Sequence, residues 1–366
     1  MVELNESITR NGKKIVLIWI RLATNRYFRQ RFKEFYKIHP EYRRPIDPSI
    51  EKKHVELWQV IRKNINLNTL RLCTNISGKP NPQIVPEDVF DSDIQRILCW
   101  QQDKIQYLAN KSFYNRWYPG NIFPKCFIHN IDGIIFNSQY NTITENELNI
   151  LINSLEYPLV IKPNMGSKGG ANIDFPKNAV ELKHLMNNRK NYVIQEMIRQ
   201  NEFFDKFNRH GLNTIRVDLY RSVKTNEIHY LHAALRMGRG GSLDNISSGG
   251  IQCFINENGY LNDYAVDVIG NKYDRHPDTN IKFLDDIQIP RFEEMKSLAI
   301  RIAGDMYLSR LISLDLCLDI NNQWRVIEIN LEDIAIEFAQ FAGEPFFGPF
   351  TEEVISYCRH NPWWKL

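Results

Sequence analysis

Lysines and glycines gather in one short stretch of this 366-residue chain. In Ile161-Lys162-Pro163-Asn164-Met165-Gly166-Ser167-Lys168-Gly169-Gly170, Lys162 closes an apolar run and is followed at once by three glycines and a second lysine. Glycine lets backbone N–H groups approach an anion closely, and lysine adds a mobile positive charge. That combination suits a polyphosphate. The stretch is not a G-x-x-x-x-G-K-[ST] loop, and no G-x-G-x-x-G occurs anywhere. A hairpin tip with solvated lysines would use the same residues.

A second cluster lies between Leu311 and Asn330. Here LISLDLCLDI and QWRVIEIN flank Asn321-Asn322, a pair that tolerates the positive φ of a tight turn. A two-residue turn sets Ile320 opposite Gln323 and, counting outward, Asp315 opposite Glu328. Their Cβ atoms would then lie roughly 4.5–5.5 Å apart. Asn330, two residues on, shares the face of Glu328. Opposed acids repel, and a divalent cation removes the conflict; carboxylate and amide oxygens suit Mg²⁺ shared with phosphate. Two alternatives stay open. In one the acids face solvent, where repulsion is screened; in the other an odd-length turn breaks the opposition, and a register several residues off would bring Asp319 into competition with Asp315.

These residues need strands and helices to hold them. Tyr157–Pro163, Tyr192–Ile198, Thr214–Ser222 and Glu227–Met237 read as strands, and Phe254–Leu261 contains a turn at Asn258-Gly259. Helical spacing marks residues 13–38, 51–66, 178–186 and 292–303, the last closed by Gly304. Asn75 to Pro86 reads as a loop. The mixture predicts an α+β fold. No run of 18 apolar residues exists, so no membrane-spanning helix is expected. The N-terminus lacks the pattern of a secretory signal. The six cysteines (Cys73, Cys99, Cys126, Cys253, Cys317, Cys358) show no metal-ligand spacing and read as reduced, buried thiols. A cytoplasmic protein is expected.

Net charge is only +3, yet residues 1–66 carry 15 Lys and Arg against 7 Asp and Glu. Aromatics (Tyr27, Phe28, Phe32, Phe35, Tyr36) are interleaved with those charges. Such a segment suits an anionic polymer or the inner face of a membrane, or equally the solvated side of an amphipathic helix. No nucleic-acid module is present, and no nucleic-acid partner is expected.

The order of these motifs resembles the ATP-grasp superfamily. The pieces are Asn110-Lys111, Lys162 with Gly166–Gly170, Gln195-Glu196-Met197-Ile198, and Asp315 with Glu328 and Asn330. Further pieces resemble its sugar-transfer-associated branch, found in polysaccharide biosynthesis. These are Pro86-Glu87-Asp88-Val89-Phe90, His210-Gly211-Leu212-Asn213-Thr214-Ile215-Arg216, and Arg236 through Asp244-Asn245 to Gly249-Gly250. The resemblance covers roughly residues 84–355. It implies two α+β subdomains clasping ATP over residues 84–366, preceded by a basic, mainly helical region over residues 1–83.

The activity implied is an ATP-dependent ligase that joins a carboxylate to an amine through an acyl phosphate. Its substrates would be an amino acid or similar carboxylate and a sugar of a surface polysaccharide. Lys111 and Lys162 would hold phosphates under a flap of Gly166, Ser167, Lys168, Gly169 and Gly170. Gln195, Glu196, Met197 and Ile198 would meet adenine, and Glu202 ribose. Asp315, Glu328 and Asn330 would hold Mg²⁺. Arg216 and Arg236 would stabilise the transferring phosphoryl group, while His210, Asn213 and Asn245 would face the substrate. Phosphotransfer to a hydroxyl, or a non-catalytic nucleotide-binding partner of a glycan assembly complex, would use the same motifs.

Overall fold

From residue 126 onward, short runs of β-branched and aromatic residues separated by turns pair into two antiparallel sheets in the computed structural model. The structure describes residues 10–99, 107–166, 172–240, 249–284 and 286–365. The smaller sheet contains β1 (Cys126–Ile131), β2 (Ile134–Asn137), β3 (Leu159–Pro163) and β4 (Tyr192–Glu196), in the order β2-β1-β4-β3. Two helices cover it, Glu145–Ser154 and Ala179–Asn187, burying Ile152, Leu182 and Met186 against Ile128, Ile161 and Ile194. Both start on capping side chains. Thr144 and Glu147 form a reciprocal box, and Asn178 accepts from the Glu181 N–H.

The larger sheet has seven strands: β5 (Thr214–Arg221), β6 (Ile228–Met237), β7 (Ile251–Ile255), β8 (Leu261–Val266), β9 (Lys272–Tyr273), β10 (Leu311–Leu318) and β11 (Trp324–Asn330). Their order is β11-β10-β5-β6-β7-β8-β9. The helix Phe292–Gly304 buries Met295, Ala299, Ile302 and Ala303 in the main core beneath this sheet. The fold is α+β with an N-terminal helical region, as expected. All six cysteines are buried and outside any disulfide. No helix among the described residues is long and apolar enough to cross a membrane.

Boundaries differ from the sequence reading where local chemistry is specific. The helix expected over 51–66 is α2 (Pro48–Trp58), capped by Asp47 with proline in its first turn; it ends at Trp58, whose indole is fully buried. The loop expected from Asn75 begins later, because α3 (Asn68–Ser77) runs on to Gly78, which takes φ +74°. Strand β4 stops at Glu196, and the Asn258-Gly259 turn joins longer strands than expected.

The N-terminal helix α1 (Arg10–Ile38) packs against the rest of the chain. Phe28, Phe32 and Phe35 are buried with Leu70, Ile84, Val266 and Phe341. Arg31 pairs with Glu87 at 2.8 Å and Glu337 at 3.5 Å, and Arg21 donates to Asp93 at 3.0 Å. Three of the five aromatics read as a contact face are therefore core. Burial repays the helix for its ordering, and about 1.5–3 kcal/mol attends each such phenyl ring.

Candidate nucleotide site

A cleft of about 1600 Å³ is lined from both sheets. Lys162 enters it from β3, opposite Val193 of β4, and is only 5% exposed. Burial pulls its pKa down to about 8, and the neighbouring charge of Lys111 adds to the fall. Lys111 opens a 3₁₀ turn capped by the Asn110 side chain, and its N–H donates to the Asn164 carbonyl at 2.9 Å. That bond ties the first lysine to the end of the strand that carries the second. The Lys111 ammonium meets Glu328 at 2.7 Å.

Asp315 sits opposite Glu328, as the sequence predicts, but for a different reason. The turn is not the two-residue type. Asp319 pairs with Gln323 through the Asp319 N–H and the Gln323 carbonyl, leaving three residues in the loop, with Asn322 at φ +58°. This shifts the register near the tip, where Leu318 faces Trp324. A bulge between Asp315 and Leu316 then shifts it back and restores the acid pair. Asp319 does not compete with Asp315. Its carboxylate accepts from the Asn321 and Gln323 N–H groups and meets Arg325 at 3.2 Å.

The conflict between the acids is resolved by cations of the chain itself, which the sequence argument for a metal did not foresee. On the neighbouring strand Arg216 faces Asp315 and binds both its oxygens, at 2.6 and 2.9 Å. Arg236, one strand further, reaches Oδ1 at 3.1 Å. Burial pushes the Asp315 carboxyl up, but the two guanidinium groups outweigh it and hold it well below the usual carboxylate range. Asn330 lies 3.5 Å from Asp315 Oδ2 through its Nδ2. Among the described residues, no group of three His, Cys, Asp or Glu forms a metal site. Two carboxylates and an amide oxygen on adjacent strands remain a donor set that suits a hard cation.

The other expected residues divide. Gly166, Gln195, Glu196, Met197, Ile198 and His210 all line the cleft. Gly166 takes φ +71° with open space around it. Met197 is 40% exposed there, whereas Glu196 is engaged by the Lys125 N–H at 2.9 Å and by Arg325 at 2.7 Å. Glu202 is exposed on the short helix Glu202–Asp205, and neither it nor Asn213 is among the lining residues. Asn213 is a loop clamp: its Nδ2 donates to Gln200 Oε1 and to the Phe204 and Asn208 carbonyls, at 2.9–3.0 Å. Ser167, Lys168, Gly169, Gly170 and Asn245 lie outside the described residues.

Sequence reasoning missed Gln252, Glu332 and Glu337, which line the same cleft. Gln252 is opposite Arg236 and almost fully buried, and its Oε1 has no hydrogen-bond partner among the described residues. The signal for it was one amide inside the apolar run Ile251–Ile255; for Glu332 it was an acid two residues beyond Asn330.

Residues 178–354 match the family model described as sugar-transfer associated ATP-grasp. The chain resembles that ATP-grasp family. Similar solved structures include N5-carboxyaminoimidazole synthetase from Staphylococcus aureus (11% identity, 71% of this chain and 57% of that one, TM-score 0.40). Others are the biotin carboxylase domain of Hydrogenobacter thermophilus 2-oxoglutarate carboxylase (14%, 71% and 46%, 0.40) and D-alanine–D-alanine ligase from Bacillus anthracis complexed with ATP (14%, 70% and 66%, 0.36). The chain spans about half the length of the first solved structures it matches. No curated protein matches it.

Proposed function

We propose that this ATP-grasp protein is an ATP-dependent carboxylate–amine ligase, attaching an amino acid or similar carboxylate to a sugar during surface polysaccharide synthesis. The observation that carries the reading is one cluster within the cleft. Lys111, Lys162, Arg216 and Arg236 gather around Asp315 and Glu328, and this group of four cations and two carboxylates leaves local positive charge that a triphosphate would complement.

In this reading Lys111 and Lys162 grip the phosphates, and the loop from Gly166 closes over them. Adenine would lie against Met197 and Ile198. A carboxylate oxygen of the substrate attacks the γ-phosphorus, the bond to the β-phosphate oxygen breaks, and ADP leaves. The amine nitrogen then attacks the acyl carbon of the acyl phosphate, phosphate departs with the electron pair of the broken C–O bond, and the proton that the nitrogen loses leaves with the phosphate. Arg216 and Arg236 neutralise the phosphoryl oxygens in both steps, so the protein contributes position and charge rather than a covalent bond. Asp315, Glu328 and Asn330 would hold Mg²⁺, which supplies charge neutralisation at the phosphates. Glu332 gives one part of the cleft an acidic group that suits a cationic amine, and Gln252 Oε1 offers it an acceptor. Residues 84–366 form the catalytic region and residues 1–83 support it, at the cytoplasmic side where ATP is available.

ADP release with Mg²⁺ and pooled amino acids and amino sugars tests the reading, with Lys162→Ala and Glu328→Ala alongside. Turnover that needs both a carboxylate and an amine, and is lost in both variants, supports the ligase. Turnover on a hydroxyl compound without an amine means phosphotransfer, and ATP binding without turnover means a non-catalytic partner.

A further inference from the structure

We infer that the outward side of α1 binds the anionic surface of a lipid bilayer. The helix is about 43 Å long at 1.5 Å per residue, and its orientation is fixed. Leu17, Phe28, Phe32 and Phe35 are buried on one side, where Arg21 and Arg31 pair with Asp93 and Glu87. The opposite side is therefore held toward solvent.

That outward side has two parts in line. Ile15, Ile18, Trp19 and Leu22, at three- and four-residue spacing, are each more than half exposed, Trp19 the most at 69%. The same stripe continues as Arg26, Arg29, Lys33 and Lys37, all exposed and none in an ion pair among the described residues. Glu34 is the only acid in the helix, and Gln30 engages it from one turn before. An apolar patch thus runs straight into a row of cations.

Charge and apolarity together select the occupant. A soluble anionic polymer would satisfy the cations but leave four large apolar side chains in water. A second copy of the chain fits poorly in either direction. Parallel stripes would set cation against cation, and antiparallel stripes would bury cations on the apolar patch. A bilayer with anionic headgroups offers both surfaces at once: acyl chains for Ile18 and Trp19, phosphates for Arg26 to Lys37. Tyr27, 62% exposed, flanks the junction at headgroup depth.

The test is co-sedimentation of the full chain with vesicles of phosphatidylcholine, with and without phosphatidylglycerol. Binding should require phosphatidylglycerol and weaken with salt. Ile18→Ser with Trp19→Ser should lower the partition at least about tenfold. Each of Arg26→Gln, Arg29→Gln and Lys33→Gln should lower it about fivefold. All these positions are exposed, so unchanged urea midpoints are expected and keep a folding failure distinguishable. Equal binding to both vesicle types, or full binding by the Ile18, Trp19 variant, would overturn the inference. So would a dimer in light scattering that dissolves with the same variant while vesicles are ignored, or tight binding to dextran sulfate that ignores Ile18 and Trp19. None of these outcomes bears on nucleotide turnover.

Discussion

Replacing Lys162 with methionine should stabilise the protein while removing its hold on ATP. The side chain is buried, and its pKa falls from the ordinary 10.5 to about 8, chiefly through burial and then through Lys111. Keeping it charged at neutral pH therefore costs the fold about 3 kcal/mol, at about 1.4 kcal/mol per pH unit. The sign follows from proton counting. Between pH 8 and 10.5 the unfolded chain keeps a proton that the folded chain has released, so wild-type stability rises with pH in that window. Methionine has similar length and no charge to desolvate. Its advantage should be about 3 kcal/mol at pH 7 and roughly half that or less by pH 9.5. Urea unfolding of both proteins at the two pH values measures it. A triphosphate would restore the charge, so ATP binding near pH 8.5 should take up most of one proton, read by calorimetry in buffers of different ionisation enthalpy. A variant less stable than wild type at pH 7, or a stability gap that ignores pH, would refute the account. In that case the attraction of Glu328 and Asp315 outweighs desolvation.

Three further outcomes follow from the same charges and contacts. Arg216→Met should cost about 3–5 kcal/mol in urea unfolding, because it strips the bidentate partner from a buried carboxylate. Adding Asp315→Leu should recover much of that loss without recovering turnover. Asp218, buried beside Ser313, has its carboxyl pushed up to about 7 by burial, so it costs stability as pH climbs from about 4 to 7; Asp218→Asn should gain stability over wild type at pH 8 and none near pH 4. Phe32→Ala should cost about 3–5 kcal/mol, and deleting residues 1–66 should leave an aggregating chain on gel filtration, since it uncovers Ile84, Val266 and Phe341.

The hairpin holding Asp315 and Glu328 was legible because alternation along both strands is strong, yet the correct pairing came from two offsetting errors. Counting outward from Asn321-Asn322 assumes a two-residue loop and an unbroken ladder. The chain instead uses a three-residue loop with Asn322 in the left-handed region, and a bulge at Asp315/Leu316 returns the lost residue. Neither device has a signature in the apolar pattern. The cations around Asp315 were visible as Arg216 and Arg236, but their partner was not, because strand order puts β10 beside β5 with β6 to β9 intervening in the sequence. Asn213 and Glu202 lie off the cleft lining for a related reason. Both follow β4, but the segment after it folds inward on Asn213 and turns Glu202 out to solvent.

Charge counting over residues 1–66 treats all cations alike. Arg21, Arg31 and Arg62 contribute to the excess, yet each is spent on a carboxylate: Asp93, Glu87 and Asp88. Their fields are cancelled at short range and reach little beyond a Debye length. The phenylalanines among them are the side of α1 that binds the body of the protein. On the outward side of α1 the cations unpaired among the described residues are Arg26, Arg29, Lys33 and Lys37, in line with apolar residues that are each more than half exposed. Only the three-dimensional arrangement separates the two sets, because a helix of mixed character looks the same in sequence whichever side is packed. The physical content of a basic segment is therefore its unpaired stripe, and the vesicle experiment addresses that stripe while leaving the inward arginines untouched.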